Sequence, residues 1–387
     1  MQPTTVLRGT TVHTGASTST DTAVVLAGGA VAAVVPEREA PRHADRVLEL
    51  DGLHVAPGFV DLQVNGGGGV MLNDEPTAEA VARIVAAHRR YGTTALLPTY
   101  ITGPRAGMEA AAEAVHAARR AGPASGVLGI HFEGPFLDPR KPGAHEVAHL
   151  RAPDEALLGT VGRAARSGAV VLLTLAACHA SAATVARLRA DGVHLSLGHC
   201  GATAAEAALA FARGVTSVTH LFNAMSPLTS REGGVVAAAL DAAARGEVRC
   251  GLILDGVHVA YDVARVALRA AGPGGVYLVT DAVAPVGAAL DSADFRLGGQ
   301  IVRVEAGRCV NESGALAGSA LDMRTAVANA VRFLGVPLDE ALRMASTYPA
   351  ALIGAPKGRL APGFDADLVV FDDDLSLHAT IVGGELP

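Results

Sequence analysis

Glu133, His199, His220 and Asp281 stand at the ends of four separate short apolar runs. Their contexts are Gly-Ile-His-Phe-Glu133-Gly-Pro-Phe, Ser-Leu-Gly-His199, Ser-Val-Thr-His220 and Leu-Val-Thr-Asp281. One carboxylate and two imidazoles match the ligand set of a catalytic zinc that keeps a position for water. Iron, cobalt and manganese accept the same donors. Gln63 and Asn65, at the end of an earlier apolar run, are poor ligands, so a single divalent ion is expected. Asp281 reads as a helix cap at first sight, but Ala-Val-Ala-Pro-Val-Gly after it is a poor helix start. A carboxylate there can instead take the proton of metal-activated water and return it to a leaving group.

Two loops add cations. Arg231 precedes Gly233-Gly234 and a helical stretch, a placement that lets it join a helix N-terminus in binding an anion. His145 closes the loop Arg140-Lys-Pro-Gly-Ala-His145, where a polarising histidine fits; Arg140 and Lys141 themselves read as a solvated turn. The glycine run 66–69 lacks the Gly-Lys-Ser/Thr ending of a phosphate loop.

These residues need a scaffold that brings distant chain segments together. Apolar strand-like runs occur at Gly58–Val64, Thr94–Pro98, Val127–Phe132, Val170–Leu175, Val193–Leu197, Thr216–Thr219, Cys250–Leu254 and Val276–Thr280. Ala-rich amphipathic stretches alternate with them: Thr77–Tyr91, Ala106–Ala121, Ala182–Ala190, Ala204–Arg213 and Ala260–Ala271. Continuous apolar strands alternating with helices imply a parallel sheet covered on both faces. Eight of them favour an α/β fold of the closed (β/α)8, TIM-like kind over a doubly wound open sheet, and such a barrel presents its chemistry where the strands end. A hairpin-like stretch (Phe295–Val310) and two helices (Ala320–Leu334 and Leu338–Ser346) follow. Both ends of the chain are rich in short β pieces, so residues 1–56 with 356–387 are expected to form a small β-sandwich domain, and 57–355 the barrel. Thr4–Leu7, Ala23–Leu26, Val31–Val35 and Val47–Leu50 read as a small antiparallel sheet within it.

The 387-residue chain is 50% hydrophobic and 18% charged, which argues for a large core and against disorder. A net charge of −7 without a run of like charges argues against nucleic acid or an anionic membrane as partner. Four isolated cysteines fit a reducing compartment. No signal peptide or spanning segment is evident, so a cytoplasmic enzyme is expected.

A further set of motifs covers nearly the whole chain: Pro57-Gly-Phe-Val-Asp-Leu-Gln-Val-Asn-Gly66, His131-Phe-Glu-Gly-Pro-Phe136, Gly198-His199, Thr219-His-Leu-Phe-Asn-Ala-Met225, Asp255-Gly-Val-His258, Val279-Thr-Asp-Ala282, Leu316-Ala-Gly-Ser319 and Gly363-Phe-Asp-Ala-Asp-Leu. Together they resemble the N-acetylglucosamine-6-phosphate deacetylases of the amidohydrolase superfamily. A generic amidohydrolase would carry His-x-His where Gln63 and Asn65 stand. The resemblance implies hydrolysis of a linear amide, giving glucosamine 6-phosphate and acetate. It implies Glu133, His199 and His220 as metal ligands, Asp281 as general base and then acid, and His145 as the group polarising the acetamide. Asn223, the Ala224 backbone, Arg231 and His258 would hold the sugar phosphate. Gln63 would sit beside the metal, and Leu316 with its neighbours would close over the acetyl group. A homodimer is also implied. Two departures stand out: Leu175-Ala-Ala-Cys178-His179 where the family has Leu-Ala-Pro-Glu, and Cys200-Gly201 after His199 where it has Ser or Thr, then Asn. The alternatives are the same reaction on N-acetylgalactosamine 6-phosphate, a different amidohydrolase, and a catalytically silent paralogue.

Overall fold

The computed structural model describes residues 3–288, 294–305 and 307–385. Ala306 of the expected hairpin, and Met1, Gln2, Leu386 and Pro387 of the expected terminal domain, lie outside them. Eight strands form one parallel sheet in chain order: β1 (Phe59–Val64), β2 (Thr93–Ile101), β3 (Gly129–Glu133), β4 (Val170–Leu175), β5 (His194–Leu197), β6 (Ser217–Val218), β7 (Arg249–Ile253) and β8 (Val276–Val279). Each expected strand forms, within three residues at its ends. Every residue of β1, β2 and β3 is buried, as strands covered by helices on one side and a filled barrel on the other must be.

The chain closes on itself at the seam between β1 and β8. No run of paired residues joins these two strands; a bridge between Val64 and Ala282, just above them, marks the closure. The fold is therefore a (β/α)8 barrel.

The helices start where the sequence supplies caps. Thr77, Ser181 and Thr203 each accept a backbone N–H at the first turn, and Thr203 with Glu206 forms a reciprocal capping box. Two helices escaped the periodicity: Glu155–Arg166 and Thr347–Leu352. The helical stretch expected after Gly233-Gly234 forms as Gly234–Ala244; eight of its residues are buried, so it is apolar on nearly every side.

Both chain ends contribute to a small β-sandwich. One sheet runs Ala30–Pro36, Thr22–Ala27, Thr4–Arg8, Arg46–Glu49; the other runs Leu377–Ile381, Leu368–Phe371, His54–Pro57, Thr11–His13, Thr18–Ser19. Leu7, Val24, Leu26 and Val31 from the first meet Val12, Val55, Leu368 and Ile381 from the second in one core. The expected antiparallel sheet needs correction, because Thr4–Arg8 pairs parallel with Arg46–Glu49 and Thr11–His13 pairs parallel with His54–Pro57. The hairpin region is a three-stranded meander (Phe295–Leu297, Gln300–Glu305, Arg308–Asn311). It packs on Met71, Ile101, Val283 and Ala317 at the barrel mouth.

Candidate active site

Glu133 is the last residue of β3; His199, His220 and Asp281 each follow their strand by two residues. Glu133, His199 and His220 are buried, and Asp281 is half-buried. The three that follow strands have positive φ, 44° at His199, 31° at His220 and 52° at Asp281, as do Phe222 and Ala224 in the loop after β6. Non-glycine residues held in this region cost about 1–3 kcal/mol each and persist where the surroundings over-determine them. Here the turn swings each side chain off its strand and into the mouth.

Three donor atoms converge. Glu133 Oε1 lies 2.9 Å from His220 Nε2 and 3.3 Å from His199 Nε2, and the two nitrogens are 3.1 Å apart. Ligands at about 2.0–2.1 Å from a tetrahedral zinc are separated by roughly 3.3 Å, so this triangle is close to the size an ion needs. His199 Nδ1 donates to the Lys141 carbonyl at 2.9 Å, which leaves the Nε2 lone pair facing the cluster. Gly143 permits that approach: a Cβ there would stand 2.9 Å from His199 Cε1. Burial opposes charge on Glu133, but hydrogen bonds from His199 and His220 hold its pKa well below the usual carboxylate range. Burial likewise opposes charge on His220, yet Glu133 and Asp281 raise its pKa. One carboxylate oxygen and two imidazole nitrogens at this spacing are a donor set that fits a divalent metal.

His145 also brings a nitrogen near, and with Glu133 and His199 it offers donor atoms within 4.8 Å of one another. Its Nδ1 lies 3.3 Å from the Thr102 backbone N–H and 2.8 Å from the Thr102 hydroxyl. A main-chain N–H can only donate, so Nδ1 is the acceptor and the ring proton sits on Nε2. Burial, with His199 next, pushes the His145 pKa down to about 3. His145 thus stands as a neutral donor beside the cluster, while His220 Nε2 is the nitrogen nearest both Glu133 Oε1 and His199 Nε2.

Asp281 Oδ1 accepts from Asn65 Nδ2 at 2.6 Å and Gln63 Nε2 at 3.0 Å. The Gln63 amide also reaches Glu133 Oε1 at 3.3 Å. Neither amide bonds Oδ2. Burial and the neighbouring Glu133 charge raise the Asp281 pKa to about 6.

A cavity of about 380 Å³ contains Glu133, His145, His199, His220 and Asp281, together with Asn223, Ala224, His258 and Leu316. His258 is held by Asp255, whose Oδ2 accepts from Nδ1 at 2.6 Å. Arg231 is not brought in: it lies on an exposed loop outside this cavity. The helix N-terminus beside it is already satisfied, because Glu232 Oε1 accepts from Gly234 N at 2.9 Å. Conversely, Arg140 and Lys141 line the rim of the cavity: Arg140 is an exposed turn residue, as expected, whereas Lys141 is half-buried, contrary to the solvated-turn reading. Their loop is folded inward by the Lys141–His199 bond and by Asp138, which accepts from Arg140 and from Gly201 N. Lys141 is one of only two lysines in the chain. Asn65, Arg140, Lys141 and Leu297 are lining residues that sequence reasoning did not assign. The signal for Lys141 was that rarity. Cys200 is buried and its sulfur accepts from Ala177 N at 3.3 Å, an inert structural contact.

The amidohydrolase family model matches residues 54–386. The chain belongs to the amidohydrolase family. An N-acetylgalactosamine-6-phosphate deacetylase of Shewanella sp. (strain ANA-3) is 43% identical to this amidohydrolase over 331 residues, 85% of this chain and 82% of the relative. An N-acetylglucosamine-6-phosphate deacetylase of Haemophilus influenzae is 34% identical over 369 residues, 94% of each. The crystal structure of N-acetylglucosamine-6-phosphate deacetylase from Pasteurella multocida superposes with a TM-score of 0.93 at 34% identity, covering 99% of both chains.

Proposed function

We propose that this amidohydrolase removes the acetyl group from N-acetylglucosamine 6-phosphate, giving glucosamine 6-phosphate and acetate. The observation that carries the reading is a buried Glu-His-His triangle with a raised-pKa carboxylate beside it, in a cavity that also holds a lysine and a histidine. Relatives and a solved structure named for this reaction support it. One divalent ion is assigned to Glu133, His199 and His220, zinc on its ligand types, with iron, cobalt or manganese as alternatives. When bound, it supplies a Lewis acid and lowers the pKa of water.

The remaining chemistry belongs to the chain. Gln63 and Asn65 bond only Oδ1 of Asp281, so Oδ2 is the oxygen that takes the proton of the attacking water. It then returns that proton to the departing amine, which would otherwise leave as an unstable anion. His145 Nε2–H donates to the acetamide oxygen as negative charge develops there. Asn223 and the Ala224 backbone orient the sugar, and Leu316 covers the acetyl group. Lys141 and His258 hold the phosphate, supplying positioning energy away from the reacting bond.

We assign Arg231, exposed and outside the cavity of its own chain, to a phosphate in a homodimer. Residues 1–56 with 356–387 are taken as a supporting β domain and 57–355 as the catalytic barrel. Among the described residues no helix is long and apolar enough to cross a membrane; cytoplasmic placement is part of this proposal.

N-acetylgalactosamine 6-phosphate is the second reading, favoured by the name of the 43% identical relative. Acetate release measured on both sugars tests the pair. A kcat/KM higher for the glucosamine derivative supports the first reading, a higher value for the galactosamine derivative supports the second, and turnover of neither overturns both.

A further inference from the structure

The seam between β1 and β8 is where the barrel lacks paired strands, and it is also where Gln63 and Asp281 meet. Backbone bonds exist only at the mouth: Asp281 N donates to Gln63 O at 2.9 Å, and Asn65 N and Gly66 N donate to Ala282 O at 2.9 and 3.0 Å. One layer below, the carboxylate of Asp61 substitutes for a rung. Its Oδ1 accepts from Thr280 N at 3.3 Å and from Gln63 N at 3.2 Å, and its Oδ2 accepts from the Thr280 hydroxyl at 2.6 Å. Asp61 is fully buried with no cation against it, and burial pushes its carboxyl up to about 7 despite these three bonds. A bare carboxylate in the floor of a barrel is costly, since such interiors are normally filled by branched apolar side chains. Something specific must require it.

What it grips is informative. Thr280 immediately precedes Asp281, whose φ of 52° must be held from both sides. On the far side, Ser319 N donates to the Asp281 carbonyl at 3.0 Å, and the Ser319 hydroxyl donates to the Thr280 carbonyl at 2.5 Å. Gln63 carries the amide that bonds the Asp281 carboxylate and Glu133. One side chain therefore holds the backbone of Gln63 and that of Thr280, the residue immediately before Asp281.

We propose that Asp61 is a positioning residue that spans the unpaired seam of the barrel and sets the placement of the Asp281 carboxylate through Thr280 and Gln63. This rests on Asp281 serving as the proton carrier. The role is hydrogen-bond acceptance and not charge. In Asp61→Asn the remaining oxygen still accepts both N–H groups, and the new amide donates to the Thr280 oxygen.

The test pairs kinetics with amide exchange on the metal-loaded full chain. Asp61→Ala is expected to lower kcat about 100-fold with KM within twofold, the scale expected when a reacting group is misplaced by about 1 Å. Asp61→Asn is expected to keep kcat within about fivefold. Thr280→Val, which removes one donor and keeps the shape, is expected to fall between them and stands in if the alanine variant does not fold. Exchange in the peptide 276–284 should be at least tenfold faster in Asp61→Ala and unchanged in Asp61→Asn, with β4 and β5 unaffected. Equal losses in the Asn and Ala variants, a change confined to KM, or unchanged exchange in the alanine (or valine) variant would overturn the proposal. If the wild-type protein releases no acetate, the deacetylase reading fails by itself, and the exchange comparison still decides whether Asp61 holds the seam.

Discussion

The two halves of the cavity are built differently. Around Glu133, His199, His220 and Asp281 the three proposed ligands are buried, three backbones are strained, and polar neighbours fix the reacting atoms. Around Lys141 and His258 the side chains are only partly buried and come from loops, and Arg231 stands outside altogether. The first region is preorganised by strands and the second is assembled by loops. Substitutions in the first should therefore change kcat, and those in the second KM.

The largest expected effect comes from emptying the rigid half. Removing the metal with a chelator, or His220→Ala, should abolish acetate release, with activity after chelation restored by adding back a divalent ion. Asp281→Asn should lower kcat by about 1,000-fold with the metal retained. Its pH dependence sharpens the point. The base must be ionised, and burial raises its pKa to about 6, so activity should fall as pH drops through about 6, or somewhat lower because a bound cation favours the charged form. An acid limb unchanged in a slow Asp281→Asn enzyme would assign that limb to another group. His145→Gln should cost about 100-fold in kcat, the scale of one lost oxyanion donor. The smallest effect belongs to the loop half: Lys141→Ala should raise KM about tenfold and leave kcat nearly unchanged, measured by initial rates. A kcat loss at Lys141 equal to that at His145 would erase the distinction between the halves.

The same division decides what could be read in the sequence. Glu133, His199, His220 and Asp281 were legible because each follows an apolar run, and a parallel barrel delivers strand ends to one mouth whatever their separation in the chain. The β-sandwich was legible as short β pieces at both ends, but not its parallel pairings, which depend on contacts across the chain. The Lys141 loop was misread because what turns it inward is a backbone carbonyl bonded to His199, a contact with no sequence signature. Arg231 was placed at a helix N-terminus by proximity, and the adjacent Glu232 takes that position instead. Asp61 gave no signal, since a carboxylate inside an apolar run shows its purpose only once the seam it spans is visible.

The central claim is a one-metal deacetylase, and it is tested most directly by measuring acetate release from N-acetylglucosamine 6-phosphate and metal content on the same sample. The account predicts turnover with about one divalent ion per chain, lost on chelation and restored on reloading. A metal-loaded protein that leaves this sugar phosphate intact, or one that turns it over with no metal bound, would contradict it.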